Sequence, residues 1–296
     1  MRVFVTGATG FIGSAVVKDL ISAGHQVLGL CRSGDKAAAL AAAGAEVHRG
    51  STEDLDRLKE GAARSDGVIH LAFNHDFSKF KANCEDDRRV IEALGSALAG
   101  SKRPLIVTSG TGMANTVPGR PAMEDGAVIS SEVIPRAASE EAAASLAARG
   151  INVSVMRLPQ VHDTVRQGLV SYAIAIARQK GSYAYVDDGR SRWPAAHVLD
   201  VALLYRLALE KAEPGARYHA VAEEGVTQRA MAEAIGRRLG LPVKSIPPED
   251  AQAHFGWLAE FAARDLPASS EQTRQKLGWR PIGPAMIADL EQLHLG

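Results

Sequence analysis

Through the first half of the chain, short apolar runs alternate with longer stretches in which apolar residues recur every three or four positions. The runs at 3–6, 26–31, 46–49, 67–73, 105–109 and 152–158 have the length of strands. Between the first two, Ile12, Val16, Val17, Leu20 and Ile21 form one apolar face of a helix over 11–23, with Gly24 as its stop. Helices are also predicted over 35–43, ended by Gly44, over 77–99 and over 136–149. Ser51 is expected to cap a further helix, with Asp54 three residues on. Strands that are apolar throughout and separated by helices predict a parallel sheet covered on both faces.

After residue 158 the alternation breaks. Helical spacing occurs over 167–180, 197–211, 228–239, 270–277 and 284–293, with short strand candidates at 183–186, 217–221 and 243–246. The expectation is an α/β doubly wound parallel sheet over 1–163 and a smaller, mostly helical C-terminal lobe over 164–296. Part of 195–225 is expected to pack back on the sheet domain. The proline clusters at 118–121 and 242–248 read as loops.

Composition narrows the partners. Lys plus Arg and Asp plus Glu number 34 each in 296 residues, so charge offers no case for nucleic acid or an anionic membrane. No apolar stretch approaches the roughly 18 residues of a membrane span. The strand-like start Arg2-Val3-Phe4-Val5-Thr6 lacks the form of a signal peptide. Cys31 and Cys84 are far apart and without CxxC spacing, which fits thiols in a reducing cytoplasm. The nine histidines show no HExxH or comparable spacing, so no metal is expected.

The candidate chemistry begins at Gly7-Ala8-Thr9-Gly10-Phe11-Ile12-Gly13, between the first strand and the first helix. Glycines there let the backbone turn tightly and approach a pyrophosphate, while the helix N-terminus offers free N–H groups. This is a Rossmann-type dinucleotide loop.

Val5 to Gly13 resembles the extended short-chain dehydrogenase/reductase superfamily of nucleotide-sugar epimerases and dihydroflavonol-type reductases. So do, in order, Leu71-Ala72, Val107-Thr108-Ser109, Arg157-Leu158-Pro159-Gln160-Val161-His162, His197-Val198-Leu199-Asp200-Val201-Ala202 and Leu277-Gly278-Trp279-Arg280-Pro281. The resemblance covers nearly the whole chain. It implies a nicotinamide cofactor bound by Gly7, Thr9, Gly10, Phe11, Ile12 and Gly13. It further implies contacts from Leu71, Ala72, Phe73, Thr108, Leu158, Pro159 and Val161.

One departure marks an atypical branch. The family pairs a catalytic Tyr with a Lys four residues later, but the matching stretch is Pro135-Arg136-Ala137-Ala138-Ser139-Glu140. None of the five tyrosines has Lys four residues on. Arg136 and Glu140 are expected on one helix face toward the nicotinamide ribose, with Glu140 receiving ribose hydroxyls and Arg136 stabilising an alkoxide. A surface ion pair is the other reading. Arginine cannot release a proton near neutral pH, so the proton source falls to Thr111, Ser109, His75 or His162.

Cofactor choice is set after the second strand, where NAD enzymes carry an acid and this chain has Cys31-Arg32-Ser33. Arg32 can pair with a 2′-phosphate and Ser33 can donate to it, which selects NADP (NADPH). Ser51 and Thr52 either lie near the adenine or only cap a helix. A substrate pocket is expected among Phe73, His75, Thr111, Met113, His162 and Trp193, with Trp193 and His197 otherwise serving packing. The leading function is an NADP-dependent oxidoreductase acting on a small or medium organic carbonyl or alcohol. The alternatives are an epimerase- or dehydratase-like enzyme and a non-catalytic NADP-sensing regulator. The partner is a small-molecule substrate, and a homodimer is compatible with the sequence.

Overall fold

The structure is a computed structural model that describes residues 1–32, 34–114, 117 and 119–294. Its first layer alternates β1 (Arg2–Thr6), α1 (Phe11–Ser22), β2 (Gln26–Cys31), α2 (Gly34–Ala42), β3 (Glu46–Arg49) and α3 (Leu55–Ala63). There follow β4 (Gly67–His70), α4 (Phe80–Ser96), β5 (Leu105–Gly110), α5 (Ala138–Ala148) and β6 (Val153–Leu158).

The sheet has seven strands in the order β3-β2-β1-β4-β5-β6, closed at the far edge by a late strand, β10 (Arg217–His219). Each neighbouring pair is parallel. Strand order reverses between β1 and β4, and the carboxyl ends there form the crevice where open α/β sheets bind ligands. Side-chain alternation explains the two covered faces. Val3 and Val5 pack with Val16, Val17 and Leu20 of α1, while Phe4 turns to the other face with Leu58, Ile91 and Leu146 of α3, α4 and α5.

Helix α7 (Val198–Lys211) packs on α1, with Val201, Leu204 and Tyr205 in the same buried cluster. Residues 198–219 therefore complete the sheet domain although they follow the first lobe segments. The lobe itself holds α6 (Val170–Lys180), β8 (Tyr183–Val186), α8 (Gln228–Leu239), β12 (Val243–Ile246), α9 (Ala251–Phe255), α10 (Ala259–Ala262) and α12 (Met286–Glu291). It has a separate core in which Ile174, Trp193, Met231, Ile235, Leu258 and Leu290 are buried. Helix α11 (Glu271–Leu277) returns beside β10.

Several bounds differ from the sequence pattern, each for a physical reason. The fourth strand ends at His70 because the amides of Leu71 and Ala72 leave the ladder and donate to Thr6 Oγ1. Asp54, not Ser51, caps α3 by accepting from the Arg57 amide; Ser51 accepts from the Glu53 amide, at 3.2 Å. The pattern gave no hint of a three-stranded sheet of β7 (Gln160–His162), β9 (Arg192–His197) and β11 (Glu223–Thr227). These strands are short, and β9 carries Pro194 where a strand normally needs an N–H. Pro118 of the expected proline loop lies outside the described residues. Among the described residues no helix is long and apolar enough to cross a membrane.

Candidate functional site

Gly7 adopts φ +67, and a Cβ there would lie 2.8 Å from the Ala72 amide nitrogen, so the turn after β4 rests directly on the glycine loop. A Cβ on Gly13 would come within 2.0 Å of the Gly7 carbonyl oxygen, which makes Gly13 a packing requirement. Gly10 differs: an added Cβ would meet only the Gly7 oxygen, at 3.2 Å. Gly10 is also the N-cap of α1, which has no side-chain cap and no acid in its first turn. The N-terminal amides of α1 therefore remain for an outside anion. Thr9, Gly10, Phe11 and Ile12 are accessible around this opening, so the residues fit a dinucleotide pyrophosphate.

Arg32 is exposed at the end of β2, the strand beside β1, and Cys31 before it is buried. Ser33 lies outside the described residues. Ser51 and Thr52 are half-buried after β3, next along the sheet.

Below the loop runs a buried polar chain. Thr6 Oγ1 accepts from the Leu71 and Ala72 amides, each at 3.2 Å, and its own proton goes to His70 Nδ1 at 2.7 Å. The opposite ring nitrogen of His70 donates to Asp87 Oδ1 at 2.9 Å. The other Asp87 oxygen receives Arg136, at 2.9 Å, and Ser139, at 2.5 Å. Arg136 also donates to Ser139 and, at 2.8 Å, to the Thr108 carbonyl, with Phe73 against its guanidinium 4.3 Å away. Thr108 Oγ1 donates to the His70 carbonyl and accepts from Tyr205. Burial works against the Asp87 charge, but Arg136, His70 and Ser139 outweigh it and hold its pKa down at about 2.

A second buried acid, Glu140, stands on α5, four residues after Arg136. Glu140 accepts from Arg157 through both oxygens, at 2.9 and 2.7 Å, and from Ser109 at 2.7 Å. Arg157 is fully buried and also donates to His219 Nε2 at 3.2 Å. His219 Nδ1 donates to the Ser269 carbonyl. Burial and the Arg157 charge push the His219 pKa down to about 4.

Arg136 and Glu140 thus neither pair with each other nor present a shared face. Arg136 stands on a 3-10 turn (Pro135–Ala137) ahead of α5 and binds Asp87, while the Glu140 carboxylate expected to receive ribose hydroxyls is instead taken by Arg157 and Ser109. Among the proton-source candidates, Ser109 is buried and donates to Glu140, and Thr111 is buried beside Met113 in a 3-10 turn after β5. His162 is fully buried with Nδ1 bonded to Asp289 of α12 at 2.7 Å, and burial lowers its pKa against the pull of Asp289. His75 is exposed, its ring centroid 5.2 Å from that of Phe73 in an edge-on contact. Trp193 lies in the lobe core, donating to the Phe261 carbonyl. Of the six expected pocket residues, ring contacts join Phe73 to His75; His162 instead meets His197. Leu158 and Pro159 are half-buried where β6 passes into β7, with Leu158 in register with Gly110 of β5, and Val161 is buried.

Asp87 and Ser139 were missed by sequence reasoning. Asp87 sits in the charged run Glu85-Asp86-Asp87-Arg88-Arg89, which reads as a solvated face. A signal was present: Asn83, Cys84, Asp87, Val90, Ile91 and Leu94 share one helical stripe, and all are buried. A carboxylate on an apolar stripe requires a partner.

The fold and loop define a dinucleotide-binding α/β protein of the extended short-chain type. A profile of the NAD dependent epimerase/dehydratase family matches residues 3–222, and the chain belongs to that family. An uncharacterized protein of Schizosaccharomyces pombe is 47% identical over 291 residues, covering 98% of each chain. Another from Saccharomyces cerevisiae is 43% identical over 293 residues, again covering 98% of each. The crystal structure of a dTDP-glucose 4,6-dehydratase from Streptomyces venezuelae, solved with NAD bound, superposes with a TM-score of 0.78. It covers 99% of this chain and 95% of its own at 18% identity, a likeness of fold.

A carboxylate held near 2 when folded and near 3.9 when unfolded stabilises the fold above about pH 4, and that contribution is lost as pH falls toward 2. Asp87→Asn should flatten this acid limb in urea unfolding at a series of pH values. It should also cost about 3–5 kcal/mol at neutral pH, since Arg136 is left unpaired; an unchanged acid limb refutes the assignment. The glycines should separate by role. Gly13→Ala is expected to destabilise by about 3 kcal/mol, because backbone cannot yield to its Cβ. Gly10→Val should leave the thermal melt near wild type and abolish dinucleotide binding in calorimetry.

Proposed function

We propose that the chain is an NADP-dependent oxidoreductase that interconverts an organic carbonyl compound and its alcohol. The observation that carries this reading is the uncapped N-terminus of α1 behind Gly10, with Arg32 exposed one strand away at the end of β2. The loop Gly7–Gly13 holds the pyrophosphate by backbone amides, and Arg32 pairs with a 2′-phosphate in place of the acid that would select NAD. Leu71, Ala72, Phe73, Thr108, Leu158, Pro159 and Val161, toward the carboxyl ends of β4, β5 and β6, complete the cofactor site in this reading. A bound nicotinamide supplies or accepts the hydride.

This chain's residues must then manage the proton. Ser109, Thr111 and His162 are buried, and Ser109 and His162 are already bonded to Glu140 and Asp289. His75 is exposed on the loop leaving the sheet edge and is the residue this reading gives the proton. Arg136, fixed by Asp87 and Thr108, contributes a positioned positive charge beside Phe73. A second reading, a cofactor-sensing protein without turnover, is favoured by the same fact that Arg136 and Glu140 are both committed to buried ion pairs. Turnover decides between them.

NADPH is expected to bind at least tenfold more tightly than NADH, about 1.4 kcal/mol, and Arg32→Ala should erase the gap. Calorimetry with both cofactors checks this, and equal wild-type affinities sink it. For turnover, His75 is exposed as a residue but its ring stands between Phe73 and Phe77, and this partial desolvation together with the Arg136 charge holds its pKa below the usual histidine value. A general acid works only when protonated, so carbonyl reduction should accelerate as pH falls through that lowered value. The acid limb should disappear in His75→Gln; a wild-type profile in that variant removes His75 from the mechanism.

A further inference from the structure

The chain is poor in aromatic residues, yet three of its seven phenylalanines, Phe73, Phe77 and Phe80, stand within eight residues after β4. None of the three is buried, so they do not serve the core. Phe73 lies one residue beyond Ala72, whose amide rests on Gly7, and its ring is 6.3 Å from Phe80. Phe80 is 5.7 Å from Phe77. Phe77 in turn stacks on Trp257 of the lobe, centroids 4.2 Å apart and planes 15° from parallel, and meets Tyr172 of α6 edge-on at 5.9 Å. The rings therefore run from Phe73, next to the turn that rests on Gly7, to the second lobe.

Holding the two parts together does not account for this arrangement, because Tyr172 and Trp257 remain 40% and 42% exposed. The other tryptophans, Trp193 and Trp279, are 2% and 1% exposed. Trp257 is turned outward directly after Gly256, whose φ of +55 is a conformation other residues rarely adopt. Wide ring faces left in water beside a ligand crevice are a stacking surface for another ring. Phe77, Tyr172 and Trp257 meet one another ring to ring, which suits a planar apolar group. Toward the sheet the seam ends in polar chemistry, with Arg136 over Phe73 and His75 beside it.

We propose that Phe77, Tyr172 and Trp257 form a shelf that binds the ring of an aryl ketone or aldehyde, with its carbonyl directed toward His75 and Arg136. This rests on the oxidoreductase reading and names its substrate class. The step is the two-electron reduction of the C=O group. The bound dinucleotide would supply a hydride to carbon, the C–O π pair would move to oxygen, and a proton from His75 would complete the alcohol. The two electrons would come from the dinucleotide, which would end oxidised, and His75 would regain its proton from solvent.

The test is calorimetry on the full chain. NADPH binding is measured first, and its absence overturns the oxidoreductase reading itself. The protein saturated with oxidised NADP is then titrated with 2-acetylnaphthalene, cyclohexyl methyl ketone and UDP-glucose. The aryl ketone should bind at least tenfold more tightly than either other probe. Trp257→Ala should weaken it about tenfold, Trp257→Phe should restore most of the loss, and Tyr172→Leu should weaken it by a smaller factor. If NADPH binds but the aryl ketone has no advantage, or both Trp257→Ala and Tyr172→Leu keep wild-type affinity, the shelf is not a ring site. Tighter binding of UDP-glucose overturns the substrate class.

Discussion

The arrangement of the ligand crevice depends on one buried carboxylate. Asp87 brings negative charge into the space between α4, α5 and the ends of β4 and β5, and that charge is costly unless every oxygen finds a donor. His70, Arg136 and Ser139 supply the donors. Because His70 also takes the Thr6 proton, and Thr6 receives the Leu71 and Ala72 amides, the position of Asp87 reaches the turn that rests on Gly7. The glycine loop is thus braced from below by a connected polar chain rather than by apolar contact alone.

Glu140 repeats the device on the next strand pair. Its carboxylate ties α5 to β5 through Ser109 and to β6 through Arg157. The two acids fix the N-terminal end of α5 at the carboxyl edge of the sheet. Arg136 and Glu140 are therefore each held in place by an ion pair to another element, Arg136 to Asp87 and Glu140 to Arg157.

The second lobe contributes in a different currency. Its core is separate from the sheet's, and apart from the His162–Asp289 pair its reach toward the crevice is aromatic, through Tyr172 and Trp257 meeting Phe77. Ring contacts are weaker and less directional than buried charge pairs. The polar edge is thus held by charge pairs and the lobe side by ring contacts.

Much was determined by local pattern. Strand and helix positions through residue 158, the glycine loop, the doubly wound sheet and the β8 and β12 strands at 183–186 and 243–246 were legible because burial on a strand or helix imposes a period. The loop was legible because close backbone approach demands glycine at positions 7 and 13. What the period could not show was pairing across the fold. Asp87 and Arg136 are 49 residues apart, Thr6 and His70 are 64, and His162 and Asp289 are 127. The spacing of Arg136 and Glu140 suggested a common face, yet each found a stronger partner on another element. A charged side chain takes whichever counter-charge the folded chain brings within reach. That choice is made by tertiary packing, because the cost of burying the charge arises only once the sheet and helices have closed around it.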